Sequence, residues 1–351
     1  MKIVTIVGAR PQFIKCAPVS RALRKKHTEI LVHTGQHYDY GMSEIFFEEL
    51  DIPKPDYNLS IGSGSHGHQT GAMLAAIEDV LELEKPDWLL VYGDTNSTIA
   101  GALAAAKLHI PVAHVEAGLR SFDKRMPEEI NRIMTDHLSD ILFCPTKTAV
   151  DNLANEGLKK NVWHVGDVMT DAVLYNKERA EQYSTLLKDL QLIKEEYIAA
   201  TIHRPSNTDS KENMTAIFQA FKQIDSPIVF PIHPRTKKYL AEYNIEIPQN
   251  VKLIDPLGYM DMLALTANAK HMVTDSGGVQ KEAYLLKTPC TTLRENTEWI
   301  ETLNGNWNQL VLSSDVNAII NSITVPRNLE KWDAVFGDGH GSETIVELLE
   351  N

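Results

Sequence analysis

A parallel α/β protein of two doubly wound domains facing a cleft is the fold this sequence predicts, and three observations carry it. Short β-branched runs alternate with helix-length segments along the whole chain, the pattern of parallel sheets covered by helices. The runs are nearly all apolar, as expected of strands buried on both faces. At 351 residues the chain exceeds what one hydrophobic core usually serves, so two domains are the default.

In the first half the predicted strands are Lys2–Val7, Glu29–His33, Trp88–Tyr92, Val112–Val115, Ile141–Cys144 and Val162–Val165, with helices over Thr98–Leu108 and Thr146–Glu156. Gly8 permits a tight turn into the first helix, where Pro11 suits an opening position. Pro18 lies far enough inside to kink or restart that helix. The run Gly62-Ser63-Gly64-Ser65-His66-Gly67-His68 reads as a surface loop; no cysteine or carboxylate lies near enough in sequence to make His66 and His68 metal ligands. A hinge is expected across Val168–Glu195. The second half repeats the scheme with Tyr197–Ile202, Ile228–Ile232, Val251–Ile254, His271–Thr274 and Cys290–Leu293. The domains are drawn as 1–168 and 169–335, followed by a helix over 336–351 that packs back on the first domain.

Composition narrows the function. Hydrophobic content of 43% and charged content of 23% are those of a soluble globular chain. A net charge of −13 argues against nucleic-acid or anionic-membrane partners, though a small anion can still bind a local basic pocket. Cys16, Cys144 and Cys290 form no C-x-x-C pair, so neither structural zinc nor a disulfide framework is expected. No apolar run approaches the ~18 residues of a membrane span, and the N-terminus reads as a strand rather than a signal peptide. The expectation is a cytoplasmic protein.

Polar residues recur just past the strands: Arg10, Asp94, Glu116, His203 and Ser276. In a parallel sheet these positions share one edge. Asp94 and Glu116 follow consecutive strands, which often neighbour one another at roughly 4.8 Å. Two carboxylates in one site can have their pKa values driven apart, as acid–base work requires. The plainer reading of Asp94 is the cap of the next helix; Glu116 has no such reading. Arg10 and Lys15 offer cations beside them, although Lys15 alone reads equally as a surface charge. Arg120, Arg125, Glu128, Glu129 and Arg132 cluster just after Glu116, where carboxylates in a first helical turn are stabilising in themselves.

In Thr274-Asp275-Ser276-Gly277-Gly278-Val279-Gln280-Lys281-Glu282, a strand feeds a helix through a turn without bulky side chains. Such a helix start is a ready anion site, and Glu282 further along offers a carboxylate to a ribose diol. The plainer reading is a helix capped by Ser276. His203-Arg204 and His233-Pro234-Arg235, similarly placed after strands, read as anion contacts. The absence of G-x-G-x-x-G leaves a dinucleotide fingerprint unsupported.

Together these residues resemble the non-hydrolysing UDP-N-acetylglucosamine 2-epimerases over nearly the whole chain. The motifs are Gly-Ala-Arg-Pro-Gln-Phe-Ile-Lys from Gly8, His33-Thr34-Gly35-Gln36-His37, Gly93-Asp94-Thr95, His114-Val115-Glu116-Ala117-Gly118-Leu119-Arg120, Pro127-Glu128-Glu129-Ile130-Asn131-Arg132, Thr201-Ile202-His203-Arg204 and the Asp275–Glu282 stretch. The resemblance implies a glycosyltransferase-B-like fold of two Rossmann-like domains, no metal or cofactor, a UDP-sugar substrate and a homodimer. It implies catalytic roles for Lys15, Asp94, Glu116, Glu128 and His203. Substrate contacts fall to Arg10, Arg132, Arg204, His233, Ser276, Gly277, Gly278 and Glu282. The reaction implied is C2 epimerisation of UDP-N-acetylglucosamine to UDP-N-acetylmannosamine through a glycal, supplying cell-surface polysaccharide precursors. Alternatives are a UDP-2,3-diacetamido-2,3-dideoxy-glucuronate 2-epimerase, a UDP-sugar glycosyltransferase and a non-catalytic nucleotide-sugar sensor. The chain departs from the family where Thr-Glu-Arg-Pro-Glu reads Thr297-Glu298-Trp299-Ile300-Glu301, which removes one basic contact. It also departs at Asp39 and His68, where members regulated by a second UDP-N-acetylglucosamine carry glutamine and arginine.

Overall fold

The computed structural model of the chain describes residues 1–35, 47 and 49–351, and of Arg10 only the backbone. Gln36, His37 and Asp39 therefore lie outside the described residues, as does the Arg10 side chain. The chain divides into two compact units, Met1–Leu174 with Ala334–Asn351, and Tyr175–Asp333.

The first unit is built on seven parallel strands, β1 (Lys2–Val7), β2 (Thr28–His33), β3 (Tyr57–Asn58), β4 (Trp88–Tyr92), β5 (Val112–Val115), β6 (Ile141–Cys144) and β7 (Val162–His164). Their order is β3-β2-β1-β4-β5-β6-β7. The chain starts in the middle, winds to one edge, returns past β1 and winds to the other. The reversal between β1 and β4 is a switch point, where the connections leave in opposite directions and open a crevice at the carboxyl edge. On one face Val4, Ile6, Leu89, Val91 and Val112 pack with the buried alanines of the helix Asn96–Lys107. Gly101 lets that helix sit close: a Cβ there would lie 3.2 Å from Ile6 and 3.3 Å from Val91.

The second unit repeats the winding with β8 (Ile198–Thr201), β9 (Ile228–Pro231), β10 (Val251–Ile254), β11 (His271–Thr274), β12 (Cys290–Thr292) and β13 (Asn308–Leu310). The order is β10-β9-β8-β11-β12-β13, so its switch point lies between β8 and β11. Successive residues of β8 feed opposite cores: Ile198 and Ala200 join Phe218, Phe221 and Phe230, whereas Ala199 joins Val229, Leu265 and Met272. This is why the strands read as unbroken apolar runs.

Four expectations need correction. The strands β3 and β13 were not anticipated, because they are short and Asn308-Gln309-Leu310 is mostly polar. The first helix does not restart at Pro18; it runs through as Arg10–Leu23. Phe13, Ile14, Ala17, Val19 and Leu23 are all buried along it, and that packing outweighs the roughly 3 kcal/mol that an interior proline costs. The Gly62–His68 stretch is not wholly loop, since the helix His66–Glu84 begins inside it, steadied by Gln69 donating to the Gly62 carbonyl at 3.0 Å. Helix and strand ends mostly shift by one or two residues, with Asn96–Lys107 replacing Thr98–Leu108 and Lys147–Asn155 replacing Thr146–Glu156, whereas the C-terminal helix expected over 336–351 spans only Gly341–Leu349.

The change of unit falls within the helix Val168–Tyr183. The C-terminal helix Gly341–Leu349 belongs to the first unit, where Asp171 holds its start. That buried carboxylate accepts from Gly341 N at 3.1 Å, Ser342 N at 2.7 Å and Ser342 Oγ at 2.6 Å. Among the described residues no helix is long and apolar enough to cross a membrane.

Two outcomes are expected. Asp171→Ala should lower stability by about 1.5–3 kcal/mol in urea unfolding, the usual loss for hydrogen bonds to a charged group. Cys16, Cys144 and Cys290 are buried, and burial pushes all three thiols up, that of Cys290 to about 12. Thiolate is the reactive form, so a thiol reagent at pH 8 should label none of them in the native chain and all three after denaturation.

Candidate functional site

At the first switch point the turn after β1 has no room for a side chain at Gly8, where a Cβ would collide with Thr34 and Ser97 hydroxyls. Gln12 ties this turn across to β4. Its Oε1 accepts from Gly8 N at 2.8 Å and Ala9 N at 3.1 Å, while its Nε2 donates to the Tyr92 carbonyl and Thr98 Oγ1, both at 3.0 Å. The helix so anchored presents Lys15, whose Nζ forms a close ion pair with Glu116 Oε2. Both side chains are largely buried. Burial works against the Lys15 ammonium, yet Glu116 and Asp94 together hold its pKa above the ordinary value, with buried Asp167 adding to them.

Asp94 follows β4, which pairs with β5 so that Tyr92 faces Val115. It does not cap the next helix: Thr95 does, its hydroxyl accepting from Thr98 N at 3.4 Å. Instead the Asp94 carboxylate receives Arg132 Nη2 at 2.6 Å, and Asn131 donates to its carbonyl at 2.9 Å. Burial raises the Asp94 pKa; Arg132 and Lys15 pull it down, and Glu116 pushes it up again. Two carboxylates thus act on one ammonium, and Asp94 has Arg132 as a second partner.

The Pro127–Leu138 helix separates the two adjacent glutamates. Glu129 is buried and accepts from Ser121 N and Phe122 N, both at 2.8 Å, and from Arg132 Nη1 at 2.9 Å. It is a structural clamp. Glu128 is exposed on the same turn, with no described bond to Lys15, Asp94 or Glu116. Arg132 is occupied by Asp94 and Glu129. Arg120 pairs with Asp136 and Glu156 at 2.7 Å each, and Arg125 pairs with Asp123 on the surface.

In the second unit the helix Gly277–Leu285 starts at the carboxyl end of β11. Ser276 is indeed its cap, accepting from Val279 N at 3.4 Å. Capping uses one N–H of the first turn and leaves others without an intrahelical acceptor. Gly277 is buried and Gly278 exposed. Glu282 is 5% exposed, which rules out a role as helix surface charge. Across the switch point, β8 leads into His203 and Arg204. Fully buried Asp275 accepts from His203 N at 3.1 Å, Arg204 N at 2.9 Å and Asn207 Nδ2 at 3.0 Å. The ring centroids of His203 and His233 lie 5.7 Å apart, and His233 Nδ1 accepts from Arg235 N at 3.1 Å.

Glu298 completes this neighbourhood. A Cβ on Gly277 would collide with its carboxylate and lie 3.7 Å from Arg204 Nη2. Arg294 donates to Glu298 at 2.9 Å and Arg204 stands 4.0 Å away. Burial would raise the Glu298 pKa, but Arg294 outweighs it and the carboxyl titrates low. Trp299, which occupies the family's arginine position, is buried with Lys281 Nζ 3.6 Å above its ring.

The structure therefore brings Lys15, Asp94, Glu116 and Arg132 together in one unit, and His203, Arg204, His233, Ser276, Gly277 and Gly278 around the switch point of the other. Sequence reasoning missed Asp275, Asp167, Gln12 and Glu298 as organising groups. For Asp275 the available signal was a carboxylate closing an apolar strand. For Gln12 the local half, a side chain reaching back to Gly8 N and Ala9 N at the helix start, was open to reading, but its bonds to Tyr92 and Thr98 come from a distant segment. Among the described residues no group of three or more His, Cys, Asp or Glu is placed to hold a metal ion.

The chain is similar to known proteins along its whole length. The UDP-N-acetylglucosamine 2-epimerase family profile covers residues 21–350. A Methanococcus maripaludis protein named UDP-N-acetylglucosamine 2-epimerase homolog is 57% identical over the full length of both chains. A Pseudomonas aeruginosa UDP-2,3-diacetamido-2,3-dideoxy-D-glucuronate 2-epimerase is 49% identical over 99% of both. The crystal structure of Methanocaldococcus jannaschii UDP-GlcNAc 2-epimerase in complex with UDP-GlcNAc and UDP is 46% identical, covers 100% of this chain and 99% of that one, and superposes with a TM-score of 0.90, so the fold is glycosyltransferase-B-like. The chain belongs to the UDP-N-acetylglucosamine 2-epimerase family.

Proposed function

We propose that this chain is an isomerase that interconverts UDP-N-acetylglucosamine and UDP-N-acetylmannosamine. The observation that carries the reading is the Lys15–Glu116 ion pair with Asp94 beside it at the first switch point, in a chain whose second switch point offers a helix start flanked by Arg204.

The C2 hydrogen of an aldose derivative is not acidic, so simple proton removal does not account for epimerisation. Elimination does. The C1–O bond to UDP breaks, the C2 proton is taken up by a carboxylate, and a C1–C2 double bond forms. A proton is then returned to the opposite face of C2, and UDP adds again at C1. Asp94 and Glu116 supply the proton acceptor and donor, with Lys15 fixing their charge balance and Glu128 and His203 as further catalytic groups. The departing diphosphate needs positive charge and oriented N–H groups. Those come from Arg10, Arg204, His233 and the Ser276-Gly277-Gly278 helix start, with Glu282 accepting the ribose hydroxyls. Arg132 serves by holding Asp94. A homodimer in the cytoplasm supplying cell-surface polysaccharide precursors belongs to the same proposal.

A second reading, epimerisation of a UDP-2,3-diacetamido-glucuronate, is favoured by the 49% identity to the Pseudomonas aeruginosa enzyme and uses the same machinery. Incubating the chain with each sugar nucleotide in deuterated water separates the two. Deuterium at C2 of both UDP-N-acetylhexosamine epimers, with UDP retained in the products, supports the first. Exchange confined to the uronate supports the second, and no exchange with either sinks the epimerase reading.

Asp94→Asn and Glu116→Gln should each lower kcat about a hundredfold or more, the usual weight of a general acid or base, while calorimetry finds UDP affinity unchanged. Glu282→Ala should instead weaken UDP and UDP-sugar binding together, by about 1.5–3 kcal/mol for a lost charged hydrogen bond. Undiminished UDP affinity in that variant would remove Glu282 from the nucleotide site.

A further inference from the structure

We infer that His114 is a positioning residue, one that fixes the backbone beneath the Lys15–Glu116 pair. The inference rests on the epimerase reading for its kinetic consequence, but its geometry stands apart from it.

His114 lies on β5 in register with Val91 of β4 and is fully buried. Its Nδ1 is 2.7 Å from Asp136 Oδ1 and its Nε2 is 2.8 Å from the Gly93 carbonyl. A carbonyl only accepts hydrogen bonds, and so does a carboxylate. The ring that satisfies both carries a proton on each nitrogen. Asp136, also fully buried, has its second oxygen engaged by Arg120 Nη1 at 2.7 Å and Gly118 N at 3.2 Å. A chain of bonds therefore runs from Gly93 O through His114 and Asp136 to Gly118 N.

Its two ends lie on the turns that carry the two carboxylates. Gly93 immediately precedes Asp94 and has φ +60°; a Cβ there would be 3.1 Å from Glu116 Oε2 and 3.4 Å from Lys15 Nζ. The Gly93 backbone is thus the surface against which the ion pair rests. Glu116 itself has φ 71°, a left-handed conformation that costs a non-glycine residue about 1 kcal/mol or more and persists only where surroundings impose it. The surroundings are bonds from Glu116 N and Ala117 N to the Phe143 carbonyl at 3.1 and 3.0 Å, and the Asp136 anchor on Gly118. His114 touches none of the reacting groups, yet it joins both turns. Releasing it frees the Gly93 carbonyl and shifts Glu116 and Lys15 together.

The ordinary reading of a buried histidine is packing alone, and the two differ in what they predict. His114→Leu keeps volume and removes both donors, whereas His114→Gln keeps one donor for the Gly93 carbonyl. Positioning predicts that His114→Leu loses about ten- to a hundredfold in kcat, as small misplacements do, with KM and UDP affinity unchanged, and that His114→Gln recovers part of the loss. Asp136→Asn, which loosens the same ring from its other side, should lower kcat likewise and serves if His114→Leu does not fold. Full kcat in His114→Leu, or in a folded Asp136→Asn, overturns the inference. Nitrogen-15 spectra of the substrate-free wild type test the premise separately: two ring N–H signals assigned to His114 are expected, and a single one overturns it. A wild type without epimerase activity counts against the proposed function alone, since the ring spectrum is read without substrate.

Discussion

A buried ammonium between carboxylates is the constraint on which the first unit depends. Taking Lys15 out of water costs several kcal/mol, and so does burying Glu116; neither is tolerable without the other. Their pairing ties the first helix to the turn after β5. It also explains Gly93, which leaves the space that Glu116 and Lys15 fill. Replacing the pair with well-packed apolar groups would relieve the cost, which makes its presence an argument for chemistry rather than for stability.

The two units solve their switch points in the same way. Where the two connections part, a buried polar side chain sews the two turns together. In the first unit Gln12, on the β1 side, reaches the end of β4. In the second Asp275, on the β11 side, reaches the residues after β8. The choice of residue suits the site. A neutral amide holds the turn beside carboxylates, where another negative charge would add repulsion. A carboxylate gathers N–H groups on the side where His203 and Arg204 need a fixed backbone, and its charge is matched by three donors.

Glu298 and Trp299 show how a departure from the family pattern is absorbed. Trp299 is buried and Lys281, from the helix, lies over its indole ring, an arrangement that suits a desolvated lysine. Glu298 remains beside Gly277, balanced by Arg294 and Arg204. The helix start keeps Arg204 as its basic neighbour.

The sequence by itself determined the fold class and the placement of polar residues at strand ends, because burial on both faces leaves continuous apolar runs whose ends are visible as soon as polarity returns. It also determined that Asp94 and Glu116 follow consecutive strands. What it left undecided was every choice made by contact across the fold. Whether Asp94 caps a helix or pairs with Arg132 depends on segments tens of residues apart, and which of Glu128 and Glu129 is a buried clamp depends on how the loop at Ser121 and Phe122 folds back over the helix start. The same holds for Pro18, where side-chain burial along the helix overrides a local propensity, and for β13, whose polar residues form a strand only because β12 offers a partner. Periodicity and turn chemistry are local and can be read in order along the chain; pairing energies between buried charges belong to the tertiary structure alone.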